Sequence, residues 1–112
     1  MPLYVRLVNL TEKGLRDFKD TVARAEAFRD LATKHGATVK EFFWTDGGYD
    51  MVTIIEAPND TVAAMLALDE ATHGFRRVQT LRAFTAEQME EILKKNGGEG
   101  TPAGLGVFLR HA

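Results

Sequence analysis

The sequence predicts a single α+β domain, a four-stranded antiparallel sheet with its helices on one face. Three observations carry that expectation. Leu3 to Leu10 alternates, with Leu3, Val5 and Leu7 on one side and Tyr4, Arg6 and Val8 on the other, the period of a strand. Two later stretches, around Val22–Ala32 and Thr61–His73, repeat apolar residues at helical spacing, and each runs into a His-Gly pair. Between them, Asp46-Gly47 separates two runs rich in aromatic and β-branched residues, the mark of a hairpin.

Each element has a local cause. After the first strand, Thr11 is an N-cap for a short helical turn that includes Leu15 and Phe18. Asp20-Thr21 caps a helix in which Val22, Ala25, Phe28, Leu31 and Ala32 recur, running to about His35, where Gly36 stops it. Ala37 to Thr45 reads as a second strand. Asp46-Gly47 suits a two-residue type I′ turn, which would set Trp44 opposite Tyr49 as an aromatic pair and Phe43 opposite Asp50. Tyr49 to Ala57 is the return strand, ended by Pro58. Asn59 or Asp60 caps the helix Thr61–His73, and Gly74 stops it. Phe75 to Phe84 is the fourth strand. Thr85 and Gln88 form a capping box for a short terminal helix through Met89, Ile92 and Leu93. The order β-α-β-β-α-β plus a terminal helix is the split βαβ, or ferredoxin-like, arrangement. Asp20-Thr-Val-Ala23 recurs as Asp60-Thr-Val-Ala63, as two βαβ halves would give. The domain is expected over residues 1–95, followed by a tail, 96–112, that holds five of the ten glycines.

Composition limits the function. The chain has 112 residues, 45% hydrophobic and 27% charged, enough for one core and too apolar for intrinsic disorder. A net charge of -2 argues against nucleic acid as the main partner. The longest apolar run, Val62 to Leu68, is far short of the ~20 residues that span a bilayer. MPLYVRLVNL carries an arginine and no cleavage site, so a cytoplasmic protein without a membrane partner is expected. Without cysteine there is no thiolate chemistry, and without serine the usual hydroxyl nucleophile is missing. No His/Asp/Glu grouping has metal-ligand spacing, and no cofactor motif occurs.

Candidate site residues follow from the sheet faces. Phe42, Trp44, Tyr49, Met51, Thr53 and Ile55 are expected beneath the helices. Tyr4, Val8, Val39, Phe43, Val52 and Ile54 are expected on the open face, with Arg6, Glu41, Asp50, Glu56, Thr80 and Arg82 as its polar residues. An open face that apolar predicts a homodimer or higher oligomer. Its charges then either pair structurally or line a pocket for a small, anionic ligand, with Arg6, Phe43, Tyr49, Asp50 and Arg82 as the binding candidates. Asp69 and His73, an i, i+4 pair, are either a surface pair at a helix end or an acid/base dyad. Arg76 and Arg77 read as solvated surface.

Gly48-Tyr49-Asp50 after the hairpin, followed by apolar residues and Glu56-Ala57-Pro58, resembles the GYD domain family. Val8-Asn9-Leu10-Thr11 and Leu81-Arg82-Ala83-Phe84-Thr85 resemble it as well, and the likeness extends over roughly residues 3 to 90. The resemblance implies a ferredoxin-like domain of the dimeric α/β-barrel type and no particular reaction. Three functions are compatible with it. The first is small-molecule binding between the open sheet face and its partner or helices. The second is cofactor-independent oxygenase or isomerase chemistry using Asp50, Tyr49 or His73, and the third is a structural or regulatory oligomerisation module.

Overall fold

The structure, a computed structural model, describes residues 1–97. Its elements are β1 (Leu3–Leu10), α1 (Glu12–Arg16), a short 3-10 turn (Phe18–Asp20), α2 (Thr21–Lys34), β2 (Thr38–Trp44), β3 (Met51–Glu56), α3 (Asp60–His73), β4 (Arg76–Ala83) and α4 (Ala86–Lys95). The strands form one antiparallel sheet in the order β2-β3-β1-β4. This is the ferredoxin-like topology that the element order implied, with an added C-terminal helix. The glycine-rich tail beyond Gly97 lies outside the described residues.

The capping residues act as their chemistry suggests. Thr11 accepts from the Gly14 amide, Asn59 from Val62, and Thr85 and Gln88 complete a reciprocal capping box. Gly74 ends α3 at φ +78°, where a side chain would be strained. The recurring Asp-Thr-Val-Ala segments open α2 and α3, so the repeat marks equivalent places in the two halves.

Helices α2 and α3 cover one sheet face. Beneath them Tyr4, Phe28, Ala32, Ala37, Val39, Ile55, Ala57, Ala63 and Leu66 form one buried cluster. The Tyr4 hydroxyl donates to the Asp60 carboxylate at the start of α3. Burial first, then the bond to Asp60 and its charge, hold the Tyr4 phenol above its ordinary 10.0, with Arg82 opposing. The folded protein therefore favours the protonated phenol. That contribution is complete below pH 10 and is lost as pH rises through the raised native value. In a Tyr49→Phe variant, which leaves Tyr4 as the single tyrosine, phenolate absorbance is expected to titrate above 10 while the protein stays folded. A midpoint at or below 10 would contradict the buried Tyr4–Asp60 contact.

Three expectations about strand faces are corrected. First, the hairpin is longer than two residues. The Thr45 amide donates to the Asp50 carbonyl at 2.9 Å, Trp44 pairs with Met51, and residues 46–49 form the connection. Neither Asp46 nor Gly48 has positive φ, so no type I′ turn forms. The register moves by two, which preserves parity, so Met51, Thr53 and Ile55 still face the helices. Second, an irregularity between Val39 and Glu41 brings Val39 opposite Ile55 and into the core. Third, β1 is inverted. Tyr4, Arg6 and Val8 are buried under the helices, while Leu3, Val5 and Leu7 lie on the open face. Both sides of this strand are apolar, so hydrophobicity did not discriminate between them. The arginine is accommodated inside because a carboxylate meets it there.

Candidate functional site

That carboxylate is Glu70, on α3. Ala63, Leu66 and Glu70 are the buried residues of this helix, on one stripe, so the glutamate occupies a core position. Arg6 reaches it from β1 and Arg76 from the start of β4. Arg6 Nη2 contacts Glu70 Oε1, and Arg76 Nε lies 3.1 Å from Glu70 Oε2. Arg6, Glu70 and Arg76 are 0%, 5% and 7% exposed. Arg6 Nη1 also donates to Thr53 Oγ1 at 3.1 Å, and its guanidinium stacks on Phe28, 4.2 Å from the ring centroid. Burial, followed by the neighbouring charge of Arg76, lowers Arg6 to about 9. Burial, followed by the charge of Arg24, lowers Arg76 to about 10. Two guanidinium groups thus share one buried carboxylate.

The triad borders a cleft. Helix α2 packs against β2 and α3 against β4, so the two helices stand over opposite parts of the sheet. Between them is a cavity of about 450 Å³, lined by Arg24, Ala27, Phe28 and Leu31 of α2 and by Asp69, Glu70 and His73 of α3, with Phe75 and Arg76 closing its end. Its size lies in the ~300–1,000 Å³ range of small-molecule pockets. Arg24 stacks on Phe75, 4.4 Å from the ring centroid, and is held by the Asp17 carbonyl at 2.8 Å. His73 Nδ1 sits 2.8 Å from the Asp69 carbonyl oxygen and 3.6 Å from Asp69 Oδ2.

The residues singled out from the sequence are dispersed. Arg6 is inside the triad and not on the open face. Asp50 is a bracket between strands: its carboxylate accepts from the Leu10 amide at 2.8 Å, and its own amide donates to Val8 at 2.9 Å. Arg82 pairs across from Tyr4, near the opposite end of β1. Six residues of strand, roughly 20 Å, separate Tyr4 from Leu10, so Asp50 and Arg82 do not line one cavity. Arg82 donates to the Leu3 carbonyl at 3.3 Å and stacks on Phe84 at 4.5 Å. Phe43 is exposed opposite Val52 on the open face. The Tyr49 hydroxyl donates to Gln79 Oε1 at 3.2 Å on that same face, whereas the Trp44 indole donates to Thr21 Oγ1 at 3.1 Å at the start of α2. The expected aromatic pair is therefore split across the sheet. Asp69 and His73 are the two candidates that the fold does bring to the cleft. Arg76, expected on the solvated surface, is buried there instead.

Sequence reasoning missed Glu70, Arg24, Phe28 and Phe75. Glu70 carried a readable signal: a carboxylate continuing the apolar stripe of Ala63 and Leu66, at spacings of three and then four residues, needs a buried cation, and Arg6 within a strand was available. Among the described residues no grouping of three or more His, Asp or Glu could hold a metal ion, and no helix is long and apolar enough to cross a membrane. Residues 4–93 match the family model of the GYD domain. No curated protein and no solved structure matches the chain.

Proposed function

The chain belongs to the GYD domain family, whose function is uncharacterised, and from the cleft between α2 and α3 we propose that it is a small-molecule binding protein. One observation carries this reading: an apolar cleft of about 450 Å³ on which a few polar side chains converge from three elements. Sequence reasoning expected the pocket at the open sheet face; the interhelical cleft has the better geometry. Ala27 is exposed on the cleft wall and belongs to no core cluster. Ala27→Phe is therefore expected to fill the cleft and leave the fold intact. In a fragment screen followed by amide chemical shifts, wild-type protein should show hits that perturb Phe28, Leu31 and Phe75, and Ala27→Phe should lose them. Hits that persist in Ala27→Phe would place binding elsewhere.

The same reading includes a second copy of the chain on the open sheet face. Leu3, Val5 and Leu7 of β1, Phe43 of β2, Val52 and Ile54 of β3 and Leu81 of β4 share that face and are not fully buried. An apolar sheet face of this extent is characteristic of an interface. Sedimentation at micromolar concentration is expected to give a dimer or larger, and a single species of monomer mass would remove this part of the proposal.

A catalytic reading rests on His73. Nδ1 donates to the Asp69 carbonyl, so in the neutral ring the lone pair sits on Nε2, the tautomer a general base requires. Under that reading His73→Gln retains ligand binding and loses turnover of the bound compound.

A further inference from the structure

We propose that the cleft selects an organic monoanion, an apolar body of aryl size carrying one carboxylate, and that Arg76 is its anchor. This rests on the cleft being the ligand site. The argument is one of charge and of donors left over. Arg24, Arg76 and the underlying Arg6 meet two carboxylates, Asp69 and Glu70, so these five groups carry one excess positive charge. A single negative charge balances it. A dianion would over-neutralise the site and would also face both carboxylates.

The donors are available. Arg76 Nε stands in an ion pair with Glu70 Oε2 at 3.1 Å, and Nη2 donates to the Arg24 carbonyl at a long 3.5 Å. Its Nη1 has no acceptor among the described residues. Arg24 forms no ion pair among them; its bonds go from Nη2 to the carbonyls of Asp17 and Gly14. A guanidinium is a planar fork suited to a carboxylate. Arg76 is also held in place before any ligand arrives, by its burial and by the ion pair with Glu70. That burial, with the charge of Arg24, lowers Arg76 to about 10, and an incoming anion relieves the same repulsion. The rest of the cleft is hydrocarbon: Phe28, Leu31, Phe75 and the methyl of Ala27. These surfaces suit a ring and offer nothing to a sugar or a polyphosphate.

The test is a calorimetric titration of the full chain with four probes of one size: 3-phenylpropanoate, 3-phenylpropanamide, 3-phenylpropylamine and phenyl phosphate. The carboxylate is expected to bind about tenfold or more tightly than the amide, and the amine not to bind. Arg24→Met, which removes no buried ion pair, should weaken the carboxylate severalfold and leave the amide unchanged. Arg76→Met should abolish the preference, with circular dichroism showing that the variant remains folded. If Arg76→Met unfolds, Arg24→Met alone decides. Equal affinity for carboxylate and amide overturns the monoanion while leaving the cleft as a binding site. Tighter binding of phenyl phosphate at a pH where it is doubly charged overturns it as well. If none of the four binds, and the fragment screen against wild type and Ala27→Phe is also silent, the cleft reading itself falls.

Discussion

Glu70→Leu is expected to destabilise the fold by about 3–5 kcal/mol, the cost of stripping a buried ion pair of one partner. Stability of a small domain is itself roughly 5–15 kcal/mol, so the variant should unfold early in denaturant and lose most of its thermal margin. The reason lies in the neighbours. Arg6 is 0% exposed and Arg76 7% exposed, and Glu70 is the carboxylate that both contact. Leucine matches the surrounding apolar stripe, yet it leaves two guanidinium groups in a low-dielectric interior with no counter-charge. Glu70→Gln keeps an acceptor and should fall between wild type and Glu70→Leu. The contrasting control is Glu12→Gln, which removes an exposed pair with Arg16 at 3.7 Å and should change stability by less than ~1 kcal/mol. Urea midpoints measure all three. A loss below ~1 kcal/mol for Glu70→Leu would show that water entering the cleft already screens the arginines, and the charge excess assigned to that cleft would lose its force.

The comparison of Arg6 with Met51 explains what was legible in the sequence. The hairpin strand β3 alternates large apolar and mixed residues, so its core side was readable even though the turn was two residues longer than expected. An even slip leaves every face in place. In β1 both sides are apolar, and the face could be chosen only by asking where the arginine goes. The open face, where a second copy would supply the partner, was the expected answer. The correct answer needed a partner 64 positions away in the chain, Glu70, whose placement depends on how α3 docks over the sheet. The same limitation applied to the site. Tyr49 and Asp50 are conspicuous in the sequence, but the structure uses Asp50 to tie the hairpin to β1 and Tyr49 to reach Gln79. The cleft is made by side chains that look ordinary one by one, such as Ala27, Leu31 and Phe75, and only the separation of two helices makes them a wall. Asp69 and His73 were visible because a pair four residues apart on a helix is a local fact.

Gly14→Ala is the second substitution expected to have a large effect, and its sign depends on tertiary contact. In an exposed helix, alanine in place of glycine stabilises by about 0.5–1 kcal/mol. Gly14 lies in α1 and is buried, and a Cβ added there would stand 2.2 Å from the Phe75 carbonyl oxygen and 3.2 Å from its carbon. The obstacle is backbone, so no rotamer change relieves it. That carbonyl already accepts the Thr11 amide at 3.1 Å, and the Thr11 hydroxyl donates to Gly74 at 2.5 Å. Either α1 or the turn between α3 and β4 must therefore move, and overpacking of this kind costs about 1–3 kcal/mol. The consequence extends to the cleft. Phe75 forms its end wall, and Arg24, stacked on that ring, also points toward the Gly14 carbonyl at 3.5 Å. Gly14→Ala should thus lower the melting temperature and weaken 3-phenylpropanoate binding together. Gly48→Ala, where a new Cβ meets nothing within 4 Å and φ is not positive, should change stability by less than ~0.5 kcal/mol and leave binding alone. A Gly14→Ala protein as stable as wild type would mean that the β1–α1 and α3–β4 turns are not in contact. The wall that Phe75 gives the cleft would then have no fixed position.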